Sequence, residues 1–487
     1  MVQKLQSVLR DSKTARWLVL LCLSLPMFAS YFFDDIFSTV SQIFNNPEFL
    51  ELGWNSANYG VYGGAYSLLC VFGGLIICGM LLDKWGVRFT GTLFVILMVT
   101  GSVIVVYALS PMFKDSAVAG FIGSLGFAKP SLTLATAGCA IFGLGSEIAG
   151  VAVTKSIAKW FKGKEMALAM GLQLALARLG TAAAMLIAPM AISIKGEIPL
   201  SESNNMAEIG LFLMIIAIVT WFVFISFDKR LDKQDAEAAA ANNAKKSDDD
   251  KFKFSDIGKI LTNKNFILIA LLCVFFYCCI ISFKRFATSI LIPRFGLDAD
   301  IASYMATLLP FTPIIFTPLF GSLVDYKGKA TTWMIIGSFI VLLSHLIFGF
   351  APNLAIFGFI SFALLGIGYS LVPAAMWQSV PKIIPENKLG TAYSLIYWVQ
   401  NMGMLLVPIV IGGILNPNPK LLWVKLNDGY IGVLKSADDA EKLSRAVNAE
   451  LVFIGLACIA ILVSFLLKKS SKNHPELRLD KPNKVKK

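Results

Sequence analysis

Two opposite charges, Glu147 and Arg178, each interrupt a long apolar run. A charge at the centre of a membrane-spanning helix costs about 2.5–3.5 kcal/mol on insertion scales, so such a residue marks a candidate binding site. An acid and a guanidinium at one depth can hold the ammonium and carboxylate ends of a zwitterion, the guanidinium offering a fork matched to a carboxylate. The competing reading is that the two simply pair with each other. At 1.5 Å per helical residue, Glu147 lies about 18 Å before Lys159 and Arg178 about 21 Å after Lys164, so both stand near mid-membrane. The turn between the two runs is short, which makes them antiparallel neighbours able to face one cavity.

A second charged group sits at another depth. Asp34 and Asp35 fall near the far end of the first apolar run and Lys284 and Arg285 near the far end of the seventh, each about 28 Å from the start of its run. Two acids and two bases at matching depth can form ion pairs that close one side; alternatively, the bases line a pocket that favours anionic substrates. Tyr62 and Tyr66, four residues apart on one helix face, can supply hydroxyls and ring walls to a pocket, as can Ser67. Gln173, Trp377, Gln400 and Asn401 are further candidates for substrate contact, with ordinary helix packing as the alternative for each. His345 reads as a hydrogen-bonded core residue.

These residues are carried by a chain that is 56% apolar and only 15% charged. Runs of about 20 apolar residues, each sufficient for a hydrocarbon core of about 30 Å, recur along it. Twelve spans are expected, at residues 16–42, 57–82, 89–109, 132–156, 165–193, 207–227, 265–293, 299–324, 331–350, 353–379, 390–414 and 449–467. An even number puts both termini on one side, and the excess of Lys and Arg on that side makes it cytosolic. The net charge of +12 is concentrated in the termini and the loop at 228–264. It reads as an orientation signal and contact with lipid headgroups, not as a nucleic-acid surface. The first apolar segment is longer than a signal-peptide core and lacks a cleavage site, so it is expected to remain as the first span. All eight cysteines (Cys22, Cys70, Cys78, Cys139, Cys273, Cys278, Cys279 and Cys458) fall in expected helices, as small core residues without metal-ligand spacing. No cofactor or metal is expected.

The organisation is expected to be a six-helix bundle at 1–227, a solvated cytosolic linker at 228–264, a second bundle at 265–469 and a basic tail at 470–487. Each half carries a related turn between its second and third helices. The first reads Gly79-Met80-Leu81-Leu82-Asp83-Lys84-Trp85-Gly86-Val87-Arg88 and the second Gly321-Ser322-Leu323-Val324-Asp325-Tyr326-Lys327-Gly328-Lys329. The first Gly lets helices approach, the Asp can accept from a neighbouring helix N-terminus, and the second Gly permits a tight turn.

This doubled turn resembles the major facilitator superfamily, whose two six-helix bundles rock about a central site. The resemblance implies an all-α membrane protein of twelve helices in two pseudo-symmetric bundles, with Asp83, Arg88 and Asp325 in the gating turns. Lys84 and Val87 depart from a pattern in which Arg is common. Longer strings resemble the branch containing the lysosomal dipeptide uniporter: Trp160-Phe161-Lys162-Gly163-Lys164-Glu165, Gly171-Leu172-Gln173-Leu174, Ala177-Arg178, Ser344-His345, Gly368-Tyr369-Ser370-Leu371 with Trp377, Leu389-Gly390-Thr391-Ala392-Tyr393, and Gln400-Asn401. Tyr62, Tyr66 and Ser67 match the branch as well. The resemblance implies that Glu147 and Arg178 grip the two ends of a peptide. Helices one and seven occupy equivalent places in the two halves, which makes Asp34, Asp35, Lys284 and Arg285 an outer gate. The branch has no basic pair matching Lys284 and Arg285.

The expected function is a secondary transporter for dipeptides or similar short zwitterions, facilitated by the resemblance, with Asp35 and Glu147 able to support proton coupling. An organic-anion or drug antiporter and a non-transporting ligand sensor are the alternatives. The chain has no Walker-type loop for ATP, and no nucleophile–base constellation for an enzyme. No acidic dileucine signal precedes the first span and no Asn-x-Ser/Thr sequon occurs, so a bacterial inner membrane is expected. The expected partners are the substrate and membrane lipids. Two insertions on the outer side, 110–131 and 416–448, are expected to cap the entrance or meet a partner.

Overall fold

The computed structural model describes residues 9–45, 47–126, 129–161, 166–193, 200–241, 254–384, 389–417, 437–477 and 479–481. Among these residues there is no strand, and twelve helices are long and apolar enough to cross a membrane. They are α1 (Lys13–Asp35), α2 (Ser56–Leu82), α3 (Lys84–Leu109), α4 (Pro130–Trp160), α5 (Met166–Ser193), α6 (Leu200–Ala241), α7 (Lys264–Phe295), α8 (Ala299–Lys327), α9 (Ala330–Phe350), α10 (Ala355–Lys382), α11 (Leu389–Leu415) and α12 (Ala437–Asn473). Below, the inner side is that of the termini and the outer side is the opposite one.

The number and order of helices follow the apolar runs, whereas several ends differ. α1 stops at Asp35 and Ser38–Asn45 forms a separate 3-10 segment. The Ser38 hydroxyl turns back to the Asp35 carbonyl, while the Thr39 and Ser41 hydroxyls bond to Met185 O and to Ser289 on other helices. α6 continues through Asp228 to Ala241, so the start of the expected linker is helical. Asp228 is only 2% exposed, held by Lys159 Nζ at 2.8 Å and Trp160 Nε1 at 3.0 Å. α12 begins at Ala437, well before residue 449. The linker stretch 242–253, residues 162–165 of one matching string, 418–436 of the second insertion and 482–487 of the tail lie outside the described residues.

Within the first half α1 packs on α5 and α6, and α3 on α4 and α6; within the second, α7 packs on α12, α8 on α10 and α9 on α10 and α12. The halves meet along α2–α11 and α5–α8. Glycine makes the first of these seams possible: a Cβ at Gly60 would lie 2.3 Å from Pro408 O, and one at Gly64 2.4 Å from Leu405 O. α2 breaks partway along, where Gly73 has φ +93. Just before the break, the Val71 carbonyl accepts a 2.7 Å hydrogen bond from Trp398 Nε1 of α11. A polar group freed inside the bilayer is thereby satisfied by the opposite half.

The repeated turns share positive φ at Gly86 (78°) and Gly328 (64°), as a tight turn at the second Gly requires. Their surroundings differ. Arg88 reaches Asp232 at 3.0 Å and Asp228 at 3.8 Å, tying the first turn to α6 of the same half. In the second turn Lys329 is also left-handed and supplies no side-chain cap to α9. Asp480, 149 residues from Thr331, does so instead: its Oδ1 accepts from Thr331 N at 2.9 Å and its carbonyl accepts from Lys329 N at 2.8 Å. Lys382 of α10 donates to the Leu479 and Lys481 carbonyls, so the tail clasps the inner ends of α9 and α10.

Candidate functional site

Glu147 lies on α4, partly buried. The Tyr66 hydroxyl of α2 stands 3.2 Å from its Oε1 and 3.0 Å from Ser146 Oγ, and Ser146 Oγ in turn lies 2.5 Å from Ser30 Oγ of α1. Three helices therefore orient one carboxylate through hydroxyls. No basic side chain pairs with Glu147 among the described residues. The alternative in which Glu147 and Arg178 neutralise each other is not what the structure adopts.

Arg178 of α5 is instead held by aromatic faces. Its guanidinium carbon lies 4.9 Å from the ring centroid of Tyr369 on α10 and 5.8 Å from that of Tyr31 on α1. Tyr369 belongs to the second half, so the cation spans the seam between the bundles. The Tyr369 hydroxyl is buried without a hydrogen-bond partner. From there the wall continues along the second half: Tyr277 lies 6.1 Å from Tyr369, Trp377 Nε1 donates to the Tyr277 hydroxyl at 3.1 Å, and Trp377 lies 5.3 Å from Tyr397 and 5.7 Å from Tyr393. Tyr31 is within electrostatic range of both Arg178 and Glu147, and Tyr397 within range of Glu147. An acid, a guanidinium and a row of tyrosines from both halves thus converge at mid-depth.

The other expected residues divide. Trp377 joins this wall, whereas Tyr62 belongs to an outer aromatic stack with Tyr59 at 6.2 Å and Trp54 at 5.5 Å. Ser67 is buried with its hydroxyl unpartnered, and Gln173 is buried on α5. Gln400 Oε1 accepts from Cys273 Sγ at 3.3 Å, and Asn401, 2% exposed, donates to Tyr397 O of its own helix at 3.0 Å. Tyr31, Tyr277, Tyr369 and Tyr397 were not singled out. The available signal was the four-residue spacing of Tyr393 and Tyr397, and the place of Tyr369 inside a matching string.

The outer charges meet as their depths required. Lys284 Nζ lies 2.6 Å from Asp35, whose Oδ2 also accepts from Thr181 Oγ1 of α5 at 2.7 Å, and Arg285 Nη2 lies 2.9 Å from Asp34 Oδ1. The Arg285 stem lies against Gly63, where a Cβ would come within 2.6 Å of it. Ser303 Oγ adds a 3.0 Å bond to Thr39 O. α1 and α5 are thereby joined to α7 and α8 across the outer layer. Of the turn residues, Arg88 bonds within its own half as described, Asp325 is partly buried in the last turn of α8, and the side chain of Asp83 lies outside the described residues. His345 is a core residue as expected, its Nδ1 2.8 Å from Glu450 Oε2, with both side chains fully buried. Glu450 lies well inside α12, which begins at Ala437, whereas a span of 449–467 puts it at the helix end, where an acid is unremarkable.

Comparison with known proteins fits this architecture. The family model described as Major Facilitator Superfamily matches residues 27–408 and, again, 274–484. Among curated proteins, the chain is similar to the zebrafish (Danio rerio) lysosomal dipeptide transporter MFSD1, at 28% identity over 93% of this chain and 86% of that protein. The human (Homo sapiens) protein of the same name is 29% identical over 82% of this chain and 80% of its own length. Their names place these relatives in the lysosome, which lends no support to the bacterial inner membrane expected above. Among solved structures, a D-xylose–proton symporter aligns with TM-score 0.65 at 14% identity, covering 93% of this chain and 97% of that one. A bacterial homologue of the human lysosomal transporter Spinster, inward-facing and unoccupied, aligns with TM-score 0.64 at 15% identity, covering 98% and 99%. These two similarities speak to the fold. With twelve membrane-crossing helices, two bundles meeting at a charged centre and a family match across most of its length, this chain belongs to the Major Facilitator Superfamily and is a transporter, not an enzyme.

Proposed function

We propose that this transporter moves dipeptides and similar short zwitterionic peptides by alternating access, as facilitated transport. The observation that carries the reading is Arg178, a guanidinium at mid-membrane between the halves with tyrosine faces against it and no carboxylate partner among the described residues. Cation–π contact is worth about 2 kcal/mol when desolvated. An uncompensated buried charge costs more, about 3–5 kcal/mol when a partner is removed. The balance favours an arriving carboxylate, which the fork can accept bidentately. Glu147, held by the Tyr66 hydroxyl, then takes the ammonium end, and Tyr31, Tyr369, Tyr277, Trp377 and Tyr397 enclose the peptide between them. The names of the curated relatives agree with this substrate class.

The Asp34–Arg285 and Asp35–Lys284 pairs act as the outer gate in this reading, closed while the site opens inward and broken when the halves rock the other way. The same pairs weigh against the organic-anion alternative, since each of those bases already has a carboxylate against it. The test is counterflow of labelled alanyl-alanine into vesicles containing the purified protein. Uptake driven by internal unlabelled dipeptide, and indifferent to an imposed pH gradient, supports facilitated dipeptide transport. Uptake that needs the pH gradient replaces uniport with proton coupling, and absence of counterflow removes the dipeptide reading.

A further inference from the structure

The outer insertion after α3 is built unlike a loop facing water. It forms two short helices, Pro111–Lys114 and Ala117–Ser124. The second has no charged residue. Ala119 and Ile122 pack with Phe113 against Tyr107 and Leu134, while Val118 (44% exposed), Phe121 (66%) and Leu125 (48%) stand out on the other side with Met112 (81%) of the first helix. A helix apolar both toward the protein and away from it needs an apolar environment on its second face.

The polar residues of the insertion mark where water is. Lys114, Asp115 and Ser110 line a groove of about 350 Å³ together with Glu51 and Ser131 of the neighbouring elements. The exposed apolar side chains take no part in that groove. Their support, α3, presents Phe89, Leu93, Ile96 and Val103 outward along its length, a lipid-facing stripe on which the insertion is the outer continuation. With 26 residues α3 is about 39 Å long, against a hydrocarbon core of about 30 Å, so its outer end reaches the headgroup layer.

We propose that the 111–125 hairpin is an interfacial membrane anchor: Met112, Val118, Phe121 and Leu125 insert into the outer leaflet at headgroup depth, while Lys114 and Asp115 stay in water. Fixing the outer end of α3 in the leaflet gives the first bundle a reference plane against which the second can move.

The test uses nitroxide-labelled Phe121→Cys, Val118→Cys and, as the aqueous control, Asp115→Cys, in vesicles of phosphatidylcholine and phosphatidylglycerol. The signal of the unsubstituted protein, whose Cys458 is exposed, is subtracted. Collision rates with oxygen, which partitions into lipid, and with a water-soluble nickel chelate are compared. The proposal expects oxygen to dominate at 118 and 121 and nickel at 115. Nickel access at 118 and 121 equal to that at 115 overturns it, because the patch then faces water. Exclusion of both reagents from 118 and 121 overturns it too, because a protein surface then covers the patch. Phe121 is exposed, so its replacement leaves the packed core intact; Val118 provides an independent site.

Discussion

Lys284 and Arg285 in the outer layer and Arg178 at mid-depth are all cations withdrawn from bulk water, yet only the outer two have carboxylates against them. Asp34 and Asp35 neutralise the outer bases within the protein itself, so that layer is electrostatically complete. The central layer is left open: Glu147 is held by a hydroxyl and Arg178 by ring faces, and neither charge cancels the other. A completed pair holds two surfaces together, whereas a separated acid and base are complementary to a molecule carrying both charges. In the function proposed above, the outer layer closes and the central layer recognises.

The largest expected effect comes from breaking the completed layer. Asp35→Asn leaves Lys284 buried without its carboxylate, a loss of about 3–5 kcal/mol from the outer-closed state. Labelling of Ser41→Cys by an impermeant maleimide from the outer side is expected to rise in that background, and to fall back when Lys284→Gln removes the stranded charge. Labelling that stays at the level of the Asp35 protein contradicts the gate. Next is the central cation. Arg178→Lys keeps the charge but loses the fork, and hydrogen bonds to charged groups contribute about 1.5–3 kcal/mol, so dipeptide affinity is expected to fall roughly ten- to a hundredfold by calorimetry. Wild-type affinity in the folded variant removes the carboxylate role.

Glu147→Gln is expected to weaken binding of free dipeptides by about tenfold, a loss near 1.4 kcal/mol, and to leave N-acetylated ones unchanged. Equal losses for both ligands make Glu147 structural. The smallest effect lies outside both layers. Asp480→Ala removes the cap that α9 borrows from the tail and should lower stability by about 1 kcal/mol without changing dipeptide affinity, read as a small drop in melting temperature. An unchanged melting temperature shows that the tail contact does not stabilise α9.

Much of this was legible along the chain because charge in an apolar run is costly and therefore conspicuous. Glu147, Arg178 and the four outer charges were found that way, and counting helical rise placed each group at its depth. The twelve spans and the doubled turn were legible for similar reasons, since apolar length and paired glycines are local signals. The tyrosine wall was not: a tyrosine is at home in an apolar helix, and nothing local separates Tyr369, which faces Arg178, from Tyr62, which packs in the outer stack. Glu450 was hidden by a misplaced helix end. The Asp480 cap joins residues 149 apart and leaves no local mark, whereas the continuation of α6 past Asp228 lies in a run of Ala, Glu, Gln and Lys whose helix propensity is masked by its polarity, which reads as a solvated linker.

In the proposed function, the separated Glu147 and Arg178 receive the two ends of a zwitterion. Thermal stabilisation of the purified protein by free, N-acetylated and C-amidated dipeptides tests it directly, because a ligand of the folded state raises apparent stability. Stabilisation by free dipeptides is expected to weaken when either end is blocked, by about tenfold in affinity for the N-terminal block and through Arg178 for the C-terminal block. Equal stabilisation by free and blocked peptides, or stabilisation by organic anions alone, contradicts it.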